Sequence, residues 1–179
     1  MQDEVILVDE VDAPLGTCGK LAAHVDGGRL HRAFSVFVFN AAGELLLQQR
    51  ARQKYHFGTL WTNTCCSHPR PGETTLGAAQ RRLCEELGFS TSVREVGSFL
   101  YRAEDPTSGL TEHEFDHVFV GRFDGTPAPN PAEVMALRWQ HLEAVIAEQA
   151  QHPERFTPWL PLALRFVQEH REALPNPGA

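Results

Sequence analysis

Hydrophobic patterning predicts an α+β fold in which a mixed β-sheet is covered by helices. Three stretches carry that prediction. Residues 33–39 (Ala-Phe-Ser-Val-Phe-Val-Phe) are β-branched and aromatic almost throughout, as a strand buried on both faces requires. Residues 111–123 alternate with period two. Between them, residues 74–87 place Leu76, Ala79, Leu83 and Leu87 along one helical stripe. A chain of 179 residues accommodates one domain with a sizeable core, and no internal repeat or low-complexity linker divides residues 1–179.

Taken in order, residues 4–8 (Glu-Val-Ile-Leu-Val) read as a first short strand. Residues 12–20 contain Pro14, Gly16 and Gly19 and read as turn-rich. Lys20 to Val25 forms a short helix or a strand end, and Asp26-Gly27-Gly28 is a tight turn. His24 and His31 flank that turn, so their rings can face each other across a hairpin. After the buried strand, Asn40-Ala41-Ala42-Gly43 closes a hairpin onto residues 44–50, and residues 51–60 form a polar loop leading to Trp61. The 74–87 helix packs its apolar stripe on the sheet. Ala78, Arg82 and Glu86 occupy another face, and Gly88 stands where a C-capping glycine belongs. Strands at 92–104 and 111–123 are joined by Asp105-Pro106-Thr107-Ser108-Gly109. Alternation in the second puts Glu112, Glu114 and Asp116 on one face and His113, Phe115 and His117 on the other. A Pro-rich loop (124–132), a strand (134–141), a short helix (142–149) and a C-terminal helix (158–173) follow. Residues 175–179 read as a disordered tail.

The net charge of −7 excludes non-specific nucleic-acid binding, which needs a basic face. Against that background Lys20, Arg29, Arg32, Arg50, Arg52 and Lys54 cluster early, and Lys20 and Lys54 are the only lysines in the chain. Such a cluster is either a solvated face or a funnel for an anionic small molecule. The acidic start Met1-Gln2-Asp3-Glu4 precedes no long apolar run. No stretch reaches membrane-spanning length, so the expectation is a cytoplasmic protein with no membrane partner. Cys18, Cys65, Cys66 and Cys84 form no C-x-x-C pair, which excludes a zinc ribbon or a thioredoxin motif and suits reduced thiols. On a strand, adjacent Cys65 and Cys66 point to opposite faces, so only one faces a given cavity.

Candidate metal ligands are His24, His31, His68, Glu112 and Glu114, a set suited to a divalent transition metal, or to magnesium where carboxylates and water dominate. Cys66 is a candidate nucleophile or proton donor. Residue type alone also describes plainer arrangements: a solvated strand edge for the glutamates and a small buried apolar residue for the cysteine.

The 67–89 segment resembles a Nudix box, G-x5-E-x7-R-E-U-x-E-E-x-G-U, with Glu73, Arg81, Leu83, Glu85, Glu86, Gly88 and Phe89 in place. Ser67 replaces the first glycine, and Arg82 replaces the glutamate that helps hold magnesium in the hydrolases. Those departures match one branch of the superfamily. The chain resembles the type 1 isopentenyl-diphosphate isomerases over residues 3–172. The matching segments are Ala22-Ala23-His24, residues 30–35, Trp61-Thr62-Asn63, Cys66-Ser67-His68-Pro69, Tyr101-Arg102-Ala103, Glu112-His113-Glu114 and Pro158-Trp159.

The resemblance implies a Nudix-type sheet sandwiched by helices, with an N-terminal extension completing the active site of a monomeric enzyme of isoprenoid biosynthesis. The implied reaction interconverts isopentenyl and dimethylallyl diphosphate. It also implies Cys66 and Glu114 as catalytic residues on opposite sides of the double bond, with Tyr101 beside the glutamate and the Trp159 ring facing the reacting carbon. His24, His31, His68, Glu112 and Glu114 match a divalent-metal site (Mn2+, Mg2+ or Zn2+). Glu86 matches the residue of a Mg2+ ion that also engages the diphosphate, and Lys20, Arg50, Lys54 and Arg82 match its cationic contacts. The alternative is a Nudix hydrolase of nucleoside or isoprenoid diphosphates, with Cys66 merely structural.

Overall fold

The computed structural model describes residues 4–170, and among them nine strands join in one mixed sheet. Its organising strand is β3 (His31–Phe39), whose residues are buried apart from the half-buried Arg32. β3 pairs in parallel with β8 (Thr111–Arg122), from His31↔Glu114 to Phe39↔Arg122. Antiparallel to it lie β1 (Glu4–Val8), through Leu7↔His31, and β6 (Cys65–Ser67), through Phe34↔Ser67, Ser35↔Cys66 and Val36↔Cys65. β7 (Val93–Glu104) pairs antiparallel with β8 through the turn expected at 105–109.

β4 (Glu44–Arg50) meets β3 only at Phe39↔Leu45, so the hairpin at Asn40–Gly43 splays at once. β4 then pairs with β9 (Val134–His141) and with the two-residue β5 (Trp61–Thr62). The alternating side chains of β3 feed two cores. Phe37 and Phe39 join Leu45, Leu47, Val118 and Val120 beneath α3 (Leu142–Gln151) and α4 (Leu160–Glu169). Phe34, Val36 and Val38 join Leu46, Cys65 and Phe119 beneath α2 (Thr75–Leu87). The sheet is thus sandwiched by helices, as the patterning predicts.

Several elements differ from the sequence-based expectation. Residues 14–19 are not a turn but β2 (Pro14–Gly19), which pairs along β1 from Glu4↔Gly19 to Val8↔Pro14. Pairing overrides the weak strand propensity of Pro and Gly there, and Pro14 to Thr17 remain exposed. Lys20–His24 resolves as the helix α1, so His24 and His31 meet across a helix, a turn and a strand rather than a hairpin. On α2 burial begins at Ala78: Leu76, in the first turn, is 44% exposed, whereas Ala78 and Glu86 are buried with Ala79, Leu83 and Leu87. The buried arc is therefore wider than the apolar stripe. Thr74 caps α2 by accepting from Gly77 N at 3.1 Å. Gly88 closes it at φ 71°, and a Cβ there would lie 2.8 Å from Ala128 O. α4 starts at Leu160 rather than Pro158 because Thr157 N donates to Trp61 O at 3.0 Å and holds the preceding residues against β5. Residues 171–173 of the expected helix and the 175–179 tail lie outside the described residues. No described helix is long and apolar enough to cross a membrane.

Candidate active site

Five separate positions converge at one end of β3. His24 ends α1, His31 begins β3, His68 follows β6, and Glu112 and Glu114 alternate inward on β8. One ligand atom from each of the five lies within 4.8 Å of the others. His24 Nε2 is 3.0 Å from Glu112 Oε2, and His68 Nε2 is 2.7 Å from Glu114 Oε1 and 3.1 Å from His31 Nε2. Backbone carbonyls set two of the tautomers. His24 Nδ1 lies 2.6 Å from Lys20 O and His31 Nδ1 2.7 Å from Arg29 O. A carbonyl only accepts, so both Nδ1 atoms donate, which leaves both Nε2 atoms facing the cluster.

The electrostatics of this cluster favour positive charge. Burial works against protonating His24, yet its contact with Glu112 raises it above the ordinary histidine value. Burial pushes His68 down to about 3, against the pull of Glu114, so its imidazole is a neutral donor whose buried Nδ1 has no partner. Burial likewise opposes ionisation of Glu112, but His24 and His56 hold its carboxyl well below the usual range. Burial and the neighbouring Glu112 charge oppose ionisation of Glu114, but its contacts with His31 and His68 outweigh them and keep its carboxyl low. Three imidazoles and two ionised carboxylates are the donor chemistry of a divalent metal ion. Glu86 stands apart from this set. It is buried on α2, where Gln48 Nε2 donates to it at 3.1 Å and Arg82 at 2.5 Å.

Beside the cluster opens a cleft that Cys66, Glu114, Tyr101 and Trp159 all line. β6 separates its two cysteines as alternation requires: Cys65 is in the core under α2, and Cys66 faces the cleft among Phe57, Tyr101 and Trp159. Burial pushes the Cys66 thiol up to about 12, with Arg50, whose Nη1 donates to Sγ at 3.6 Å, pulling the other way. Tyr101 donates its hydroxyl to Glu114 Oε2 in a short contact, and burial raises the phenol well above its usual range. Trp159 is anchored through Nε1 to Asn63 Oδ1 at 3.2 Å, and Asn63 Nδ2 donates to Cys65 O at 2.7 Å. The Trp-Thr-Asn segment therefore ties the indole to the strand that carries Cys66.

Lys20, Arg50, Lys54 and Arg82 reach the same cleft. Lys54 and Arg82 both contact Glu133, Arg82 also contacts Glu85 at 2.7 Å, and Arg50 donates to Phe57 O at 3.0 Å. Sequence reasoning missed His56, Asp105 and Glu133. His56 Nε2 lies 2.9 Å from Glu112 Oε1, and Asp105 accepts from Phe57 N at 3.0 Å. All three sit in loops or turns, where no periodicity marks a side chain as inward-facing.

A sandwiched mixed sheet with a loop and a carboxylate-bearing helix defines a NUDIX domain, and the family model of that description matches residues 29–160. A Deinococcus radiodurans crystal structure superposes with a TM-score of 0.75 at 26% identity, over 91% of this chain and 98% of that one. The MutT protein of Methanosarcina mazei shares the fold at 18% identity, with a TM-score of 0.66 over 79% of this chain and 96% of its own. Among curated relatives, the isopentenyl-diphosphate Delta-isomerase of Burkholderia multivorans is 54% identical over 159 residues, 89% of each chain. That of Halorhodospira halophila is 51% identical over 168 residues, 93% of this chain and 94% of its own. The chain belongs, within the NUDIX domain proteins, to the isopentenyl-diphosphate Delta-isomerase family. Residues Lys20 and His24 lie before the matched NUDIX segment, on the N-terminal β1–β2–α1 unit.

Proposed function

We propose that the protein interconverts isopentenyl diphosphate and dimethylallyl diphosphate. The observation that carries the reading is the placement of Cys66 and Glu114 on one cleft, from different strands, with the Trp159 ring between apolar walls. Moving the double bond means adding a proton at the terminal alkene carbon and removing one from the carbon next to the diphosphate-bearing methylene. The intermediate is a tertiary carbocation. Such a site needs an acid and a base on separate faces, few stray nucleophiles and little water.

The resting protonation pattern supplies one proton between the pair. Cys66 keeps it on Sγ, while Glu114 is ionised and accepts from Tyr101. Whichever group donates in one direction receives in the other, by microscopic reversibility. The face of Trp159 stabilises the cation by roughly 2 kcal/mol in a desolvated setting. Phe57, packed edge-on at 5.5 Å, and Tyr101 close the apolar side against water. Lys20, Arg50, Lys54 and Arg82 would grip the diphosphate, whose binding energy positions an alkene that it does not itself react with.

His24, His31, His68, Glu112 and Glu114 would hold a divalent ion (Mn2+, Mg2+ or Zn2+), and Glu86 would serve Mg2+ bound with the diphosphate. When bound, these ions supply charge neutralisation, at Glu114 and at the diphosphate respectively. Residues 1–179 act as one domain and as a monomer in the cytoplasm on this reading. Four free thiols are in keeping with a reducing compartment. Incubation with isopentenyl diphosphate and Mg2+ should give dimethylallyl diphosphate without phosphate release. Brisk hydrolysis with no allylic product would establish a NUDIX hydrolase instead.

A further inference from the structure

His56 is a buried imidazole outside the five metal donors and the Cys66–Glu114 pair. It stands between the two halves of the site: Nδ1 lies 3.3 Å from Arg50 Nη2, and Nε2 lies 2.9 Å from Glu112 Oε1. A guanidinium only donates and a carboxylate only accepts. One tautomer serves both neighbours, with a bare Nδ1 toward Arg50 and a proton on Nε2 toward Glu112. The Nε2 contact is close but off the hydrogen-bond axis, and no other group partners that atom. Glu112 gives its other oxygen to His24 at 3.0 Å.

The ring is fixed from behind. Arg50 Nη2 donates to His56 O at 3.2 Å and Arg50 Nε to Phe57 O at 3.0 Å, while Asp105 accepts from Phe57 N at 3.0 Å. Phe57 (φ 47°) and Thr59 (φ 70°) both adopt left-handed backbone without being glycine, a conformation that persists only where the surroundings over-determine it.

We propose that His56 is a positioning residue that couples the His/Glu metal set to the diphosphate cradle. It steadies the Oε1 atom of Glu112, so that Oε2 stays directed at the donor cluster, and it orients the Arg50 guanidinium. The Arg50 half rests on the isomerase reading; the Glu112 half rests on the donor cluster alone. Groups that orient a metal-binding carboxylate or imidazole are typically worth 10–100-fold in affinity or activity.

His56→Phe keeps a planar ring and removes both nitrogens, whereas His56→Gln keeps a donor and an acceptor. Mn2+ affinity, measured without substrate by competition with a chromophoric chelator, should fall about tenfold or more in His56→Phe and recover to within about threefold in His56→Gln. In turnover of isopentenyl diphosphate, His56→Phe should raise KM as well as lower kcat. In a Glu112→Gln background His56→Phe should add less than about twofold to the loss of Mn2+ affinity, because the coupling runs through Glu112. Affinity within twofold of wild type in His56→Phe overturns the proposal, as does full additivity with Glu112→Gln. Melting temperatures in chelator identify a ring that merely packs. Both variants then melt lower and glutamine restores no metal affinity, which also overturns the proposal. A wild type that binds Mn2+ yet makes no allylic product sinks the isomerase reading, while the metal affinities of the two His56 variants still decide whether His56 positions Glu112.

Discussion

Arg82 Nη2 donates to Glu86 Oε1 at 2.5 Å across one turn of α2, and the same guanidinium also contacts Glu85 and Glu133. A residue that a NUDIX hydrolase would use as a carboxylate is here the hub of an anion cluster. Arg82→Glu would set a fourth carboxylate among three. Losing the charge-assisted contact and adding repulsion should weaken isopentenyl diphosphate binding by on the order of 2–5 kcal/mol. Titration calorimetry with the substrate reads this directly, and unchanged affinity would remove Arg82 from the cradle.

The two adjacent cysteines should separate cleanly. Cys66→Ala should abolish isomerisation while shifting the melting temperature little, because Sγ borders a cleft. Cys65 is fully buried under α2, so Cys65→Ala should retain turnover and lose about 1 kcal/mol of stability. With the Cys66 thiol pushed up to about 12, peptide-resolved alkylation at this position should show no rise near pH 9. The reverse pattern of activities would mean that the wrong cysteine has been assigned.

Trp159→Phe should keep part of the turnover and Trp159→Ala very little, since stabilising the cation takes an aromatic face more than an indole N–H. Phenylalanine leaves Asn63 Oδ1 with its second donor, Thr62 Oγ1 at 2.8 Å. Equal rates for the alanine variant and wild type would place cation stabilisation elsewhere.

Asp105 links stability to pH. Burial opposes its ionisation, but donation from Phe57 N, Thr107 N and Ser108 Oγ holds its carboxyl below the usual range. A depressed folded-state value means stabilisation that is complete above the unfolded value of about 3.9 and lost as pH falls through the folded one. Asp105→Asn should therefore cost about 1–3 kcal/mol at neutral pH, and its melting-temperature gap to wild type should close below about pH 4. A gap that is constant from pH 7 to pH 3 would rule out the carboxylate charge as its source.

The parts of the fold most legible in sequence were those with local periodicity. β8 shows its inward Glu112–Glu114–Asp116 row by simple alternation, and Gly88 marks the end of α2 at the residue where φ turns positive. What stayed hidden depends on partners distant in sequence. β2 exists because β1 offers it an edge, β4 leaves β3 for β9, and no local pattern encodes either choice. The site divides the same way. The histidines and glutamates were visible as residue types and through a family pattern. His56 faces inward only because Arg50 and Asp105 hold its loop.

The parallel pairing of β3 with β8 also dates the site within the life of the chain. Synthesis delivers His24, His31, Cys66 and His68 early, but His24 must wait for Glu112, 88 residues later. Until β8 emerges and docks beside β3, the first part of the chain carries three of the five donors and a thiol with nothing opposite it. On the proposed reading, metal capture and competence for the reaction would therefore arrive together, when β8 closes against β3 over a long stretch of chain. A nascent or truncated chain ending before β8 should hold metal poorly and turn over nothing.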